Sequence, residues 1–153
     1  MIPDDMDDWA KSLYERRKIV FPSSDGNKAY YLPSMGNDVY IMDIALLDTG
    51  GIPERRLLKL RIERHKGYAK ATLSMGGNQI VMLHTDHEHT NPGGVNIGRP
   101  HKHYLKNGCL KYAYFVDDNF SLKDINEVLS HFLKECNIES RLPEGLQLLM
   151  GGN

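Results

Sequence analysis

Only two cysteines occur in the 153 residues, Cys109 and Cys136, and neither has a close-spaced partner. A disulfide framework and a cysteine zinc knuckle are thereby excluded, and two reduced thiols are expected. No apolar run approaches the length of a membrane span, which excludes a transmembrane helix. The first ten residues carry Asp4, Asp5, Asp7 and Asp8 where a secretory signal would need positive charge. A cytoplasmic protein without a membrane partner is therefore expected. Internal repeats and low-complexity segments are absent too, and with 41% apolar and 25% charged residues the chain suits one domain with a hydrophobic core of its own.

What is abundant is histidine, and it is concentrated. Five of the seven lie within twenty positions: His84, His87 and His89, then His101 and His103 beyond a Gly/Pro/Asn-rich connection. Imidazole titrates near neutrality and is the commonest transition-metal ligand, so proton transfer and metal binding are the two chemistries to separate.

The net charge of −1 conceals a second concentration. Residues 1–54 carry five Lys/Arg against ten Asp/Glu, residues 55–111 carry eleven against three, and residues 112–153 carry three against seven. A basic centre that contains the histidines, between acidic ends, is the electrostatic footprint of a site for phosphate or nucleic acid. RNA is the expected partner.

The apolar pattern predicts an α+β fold: a mainly antiparallel sheet of five or six strands, with a C-terminal helix packed on one face and an N-terminal helix beside it. Residues 1–36 hold the first helix and a loop. Over 5–18, Met6, Trp9, Ala10, Leu13 and Tyr14 share a face, with Asp residues at the start and Arg16, Arg17 and Lys18 at the end. Residues 37–116 hold the sheet and the histidine-rich turn. Val39–Leu47 and the alternating runs Leu58–His65 and Tyr68–Leu73 read as strands, the latter two joined near Gly67. Gln79–His84 is more continuously apolar and so central, and residues 101–105 and Leu110–Val116 join across Lys106-Asn107-Gly108. The second helix spans 121–137, opened by a capping box of Ser121 and Asp124 and closed by Asn137. In the C-terminal segment, 138–153, Leu146–Leu149 adds a short strand.

Residues two apart in an extended chain face the same way, so His101 and His103 stand side by side, as do His87 and His89. The first reading needs no cofactor. His101, His103 and His89 are its catalytic residues, transferring protons at a ribose hydroxyl and a leaving oxygen. Arg61, Arg64, Arg99, Lys102, Lys106 and Lys111 bind phosphate, while Tyr104, Tyr112 or Tyr114 stacks on a base or donates a proton. A metal-independent endoribonuclease results. A second reading is a non-catalytic factor of a phage or mobile element that holds nucleic acid or a protein through the basic centre. The third places His87, His89, His101 and His103 around one Zn or Mn ion, with Asp86 or Glu88 fixing their other ring nitrogens, in a metal-dependent hydrolase. Against it stand Lys102 between two of the ligands and the lack of the glutamate that a cupin-like site would add.

The stretch His89-Thr90-Asn91-Pro92-x-Gly94, then Ile97-x-x-Pro100-His101-x-His103, Lys111-x-Ala113-Tyr114 and Phe132-Leu133-x-x-Cys136-Asn137-Ile138 resembles a family of small bacterial proteins of unassigned function. The resemblance covers about residues 57–150 and is most specific in the Thr-Asn-Pro-x-Gly and Pro-His-x-His motifs. It implies that His89, His101 and His103 are family positions, that His87 is additional and that His84 replaces an arginine. Tyr104 follows His103 directly, where the family has one residue between. The Pro-His-x-His element is also similar to motifs in ribonuclease toxins of toxin–antitoxin modules, which implies an antitoxin or other protein partner.

Overall fold

The computed structural model describes residues 5–20, 30–31, 38–65, 68–85, 87–116 and 124–139. Helix α1 (Asp8–Glu15) leads into β1 (Lys18–Val20); β2 (Tyr30–Tyr31), β3 (Asp38–Leu47), β4 (Pro53–His65), β5 (Tyr68–Met75) and β6 (Asn78–His84) follow. A small hairpin, β7 (His89–Thr90) and β8 (Asn96–Ile97), precedes β9 (His101–Tyr104), β10 (Ala113–Phe115), α2 (Ile125–Glu135) and β11 (Ile138–Glu139).

The main sheet runs β10-β9-β6-β5-β4-β3-β1-β11, with β2 also on β3. Every pairing is antiparallel except that of β1 with β11. The α+β class and both expected helices are present. The six strands expected within residues 37–116 occur, as β3 to β6, β9 and β10, and Gln79–His84 is interior as expected. The short β1, β2 and β11 widen the sheet beyond five or six strands; at two or three residues each they carry no readable periodicity.

One face of the sheet is the core. Leu58, Leu60 and Ile62 of β4, Ala69, Ala71 and Leu73 of β5, Leu83 and Tyr104 pack against Ile125, Val128, Leu129 and Phe132 of α2 and Ala10, Leu13 and Tyr14 of α1. Trp9, expected in that interface, is exposed.

Helix α1 is shorter than its pattern because the chain turns extended at Arg16. The positive charge expected at its end arrives from a strand instead. Lys18, buried in β1, donates from Nζ to the carbonyls of Tyr14 (2.8 Å), Arg16 (2.6 Å) and Cys136 (2.5 Å), closing both helices at once. Burial pushes its amine down to about 8.

Asp124 is itself the cap of α2, accepting from Asn126 N and Glu127 N, so the helix starts after it and not at 121. Asn137 takes the left-handed conformation expected of it (φ 57°). The Asn107-Gly108 pair, with φ of 51° and 73°, makes the two-residue turn between β9 and β10. Asp7 holds that turn by accepting from Asn107 N (2.7 Å) and Gly108 N (2.9 Å). Ser121, Gly67, Asp86 and Leu146–Leu149 lie outside the described residues.

Candidate metal centre

The histidines occupy the sheet face that the helices leave uncovered. In the ladders, Glu63, Lys70, His84, His101 and Phe115 form one cross-strand row, and Arg61, Thr72, Met82, His103 and Ala113 the next. Side chains opposite each other in antiparallel strands share a face, so His84 meets His101 directly and His103 stands beside it. The ring centroids of His84 lie 5.3 Å from His101 and 5.0 Å from His103, and those of His101 and His103 are 5.0 Å apart.

After His84 the chain crosses this cluster. Thr85, fully buried, ends β6 by accepting from Ala69 N through Oγ1 (2.9 Å). His87 then comes within 4.9 Å of His84 and 5.5 Å of His101, ring to ring, and His89 within 4.7 Å of His103. Asn91 fixes this crossing segment to the edge of β10. Its Nδ2 donates to Ala113 O (2.9 Å) and its Oδ1 accepts from Ala113 N (2.7 Å), as a strand residue would.

Backbone carbonyls orient three of the rings. A carbonyl only accepts, so the nitrogen facing it carries the proton. His101 Nδ1 donates to Gly98 O (3.1 Å), His103 Nδ1 to Leu110 O (2.8 Å) and His89 Nε2 to Lys111 O (2.8 Å). Nε2 of His101 and His103 and Nδ1 of His89 therefore present lone pairs. Both ring nitrogens of His84 and Nε2 of His103 are buried with no hydrogen-bond partner among the described residues.

Burial, reinforced by the neighbouring imidazoles and Lys70, pushes His84 down to about 3. Burial likewise brings His103 to about 4, against the opposing pull of its bond to Leu110 O. Neutral imidazoles are what a metal requires. One nitrogen from each of His84, His101 and His103 lies within 4.8 Å of the others. Ligands sharing a tetrahedral ion are about 3.3 Å apart, a closure within reach of small side-chain rotations.

The predicted residues divide. His101, His103, His89 and His87 come together, and His84, given no role by the sequence, joins His101 and His103 as the third buried member of the set. His87 is exposed and His89 half-buried. The acceptors that orient His89, His101 and His103 are backbone carbonyls; Glu88 is exposed, and Asp86 lies outside the described residues. Arg61 lies on the histidine face, as does Tyr68, over whose ring Arg99 sits at 4.9 Å.

Lys102 does not reach this face. Alternation turns it to the core side, where its buried Nζ is 3.1 Å from Oε2 of the half-buried Glu135 of α2, a pairing that draws it away from the histidine face. Burial alone would raise the Glu135 carboxyl; Lys102 holds it below its usual range. Tyr104 is core, edge-on to Tyr14 and Tyr114, and burial pushes its phenol up to about 12, so it is neither a base platform nor a proton donor. Tyr114 and Arg64 share the helix face with Lys102 and Tyr104. Lys106 pairs with Asp5 (2.7 Å) and lies over Tyr112, while Lys111 is exposed and contributes its carbonyl.

The chain belongs to the family of unknown function DUF6978, whose model matches residues 6–138. The match takes in both helices and the whole histidine cluster. No curated protein and no solved structure matches the chain. Among the described residues no helix is long and apolar enough to cross a membrane.

Proposed function

We propose that this protein is a metal-dependent hydrolase in which His84, His101 and His103 hold one divalent transition-metal ion. The observation that carries this reading is the set of buried, neutral imidazole nitrogens facing one another without hydrogen-bond partners at His84 and His103. Leaving such groups unsatisfied in a native interior is costly, and a cation that accepts their lone pairs removes the cost. An all-imidazole set suits zinc first, then copper, nickel or iron.

Bound there, the ion would supply Lewis acidity and lower the pKa of a coordinated water. The chain's own contribution is geometric and electrostatic. Gly98 O and Leu110 O hold two rings in the tautomer that turns Nε2 inward, and the segment pinned by Asn91 places His89 at the half-buried rim. His89 Nδ1, left with its lone pair by the bond to Lys111 O, is the base that accepts the proton of the attacking water.

Metal-free catalysis by paired imidazoles needs one ring protonated beside the substrate. Burial opposes that at His103, which favours the metal over the ribonuclease mechanism expected from sequence. RNA remains the first substrate to offer. Cleavage of RNA and of a chromogenic phosphodiester should be abolished by EDTA and restored by adding Zn²⁺ or Mn²⁺. Cleavage that persists in EDTA but is lost in a His101→Ala/His103→Ala variant would overturn the metal reading and favour the paired-imidazole mechanism.

A further inference from the structure

The charge of the centre dictates what else it can hold. Its ligands are neutral imidazoles and no carboxylate joins them among the described residues, so a divalent ion would keep both its charges. Directly across the ladder from His84 is Lys70, on the same face of β5. Lys70 is half-buried, and its ammonium has no ion-pair or hydrogen-bond partner among the described residues. The carboxylate opposite it in the row, Glu63, accepts instead from Arg61 Nη2 at 3.3 Å. Arg61 is one row along on the same face, opposite Thr72.

Two or three positive groups held this close repel one another unless an anion lies between them. We propose that Lys70 forms the second half of an oxyanion site: a phosphate group bridges the ion held by His84, His101 and His103 and the ammonium of Lys70. Tetrahedral phosphate fits better than carboxylate because it offers more acceptor oxygens and up to two charges to a metal, a lysine and the nearby Arg61. The surface next to Lys70 suits the rest of such a molecule. A groove lined by Arg61, Glu63, Lys70, Thr72, Ser74 and Gln79 runs over β4 and β5, giving hydroxyl and amide groups alongside the two cations, with the Glu63 carboxylate drawn to Arg61. Sequence reading took the basic centre as a general phosphate surface and did not single out Lys70, because a lysine in an alternating strand looks like an ordinary solvated side chain.

This inference rests on the metal reading, and the test separates the two. The full chain is loaded with Co²⁺, whose visible spectrum reports changes in coordination, and inorganic phosphate is titrated in. Phosphate should alter the spectrum of the parent. Lys70→Met should weaken phosphate about tenfold or more, while Lys70→Arg keeps it within about threefold. Co²⁺ should bind Lys70→Met at least as well as the parent, since a repelling charge has been removed. Equal phosphate affinity in parent and Lys70→Met, or phosphate binding that survives removal of the metal, overturns the proposal while leaving the metal site standing. Failure of Co²⁺ to bind the parent overturns both before phosphate is added. A short single-stranded RNA oligonucleotide in a parallel arm distinguishes the source. Its displacing phosphate assigns the site to a nucleic-acid phosphodiester, and phosphate binding without such displacement assigns it to a small phosphate ester; each supports the oxyanion site.

Discussion

Histidine is the side chain whose charge its surroundings set most easily, and here burial settles it toward the neutral form. In the unfolded chain imidazoles take up protons below about pH 6.5. In the native protein His84 and His103 stay neutral down to about 3 and about 4, because burial penalises the charged ring. Below pH 6.5 the unfolded state therefore binds more protons, and native stability declines as pH falls. The loss is up to about 1.4 kcal/mol per pH unit for each group and ceases below the folded values. Above pH 6.5 the contribution is fully present. Thermal unfolding of chelator-treated protein between pH 7.5 and 5 checks this: the melting temperature should fall with pH, and less steeply in His84→Leu. Identical slopes in the two proteins would contradict it.

At the scale of elements, the centre depends on how one irregular segment is fastened. Residues 87–97 carry little regular structure beyond the short β7–β8 pair, yet they deliver His87 and His89 onto a rigid sheet. Asn91 is the fastener, since its amide completes the edge of β10 in place of another strand. Asn91→Ala leaves Ala113 N and O without these partners and should cost about 1–3 kcal/mol of stability. It should also slow hydrolysis about tenfold or more through the loosened His89, the base, while zinc affinity stays near the parent's because the three ligands are untouched. Calorimetric unfolding, hydrolysis rates and a zinc titration of the variant measure all three. Parent-like stability and rates would show that the segment is held by other means.

The element scale is also where sequence and structure part. Period-2 alternation identified the six principal strands and the basic face of β4, and it placed His101 beside His103. It could not supply the partner of the strand that holds them. The pairing of β9 with β6 joins residues about twenty apart across the loop, and only that register, His84 opposite His101, brings the third buried imidazole into place. His84 itself reads as the polar end of the apolar run from Ile80. Lys102 failed for a related reason. Alternation separates it from the histidines, yet its charge and its place between two of them suggest a phosphate ligand, whereas the histidine face is roofed by the loop and Lys102 enters the core to meet Glu135. Which face is wet is a tertiary property that one strand's pattern leaves open.

Taken whole, the molecule divides its two sheet faces between two tasks. Helices α1 and α2 cover one face with an apolar core, fixed at its margins by Lys18 and by the Lys102–Glu135 pair. The other carries imidazoles in its β6–β9 half and cations toward β4 and β5, as an ion beside an anionic ligand would require. The measurement that bears on this most directly is metal stoichiometry. Protein loaded with Zn²⁺, dialysed and subjected to elemental analysis should retain about one ion per chain. His84→Leu and His103→Leu should each lose it at equal protein concentration while remaining folded by circular dichroism. A folded parent that retains no ion, or a His84→Leu variant that retains as much as the parent, would contradict a metal centre built on these three histidines.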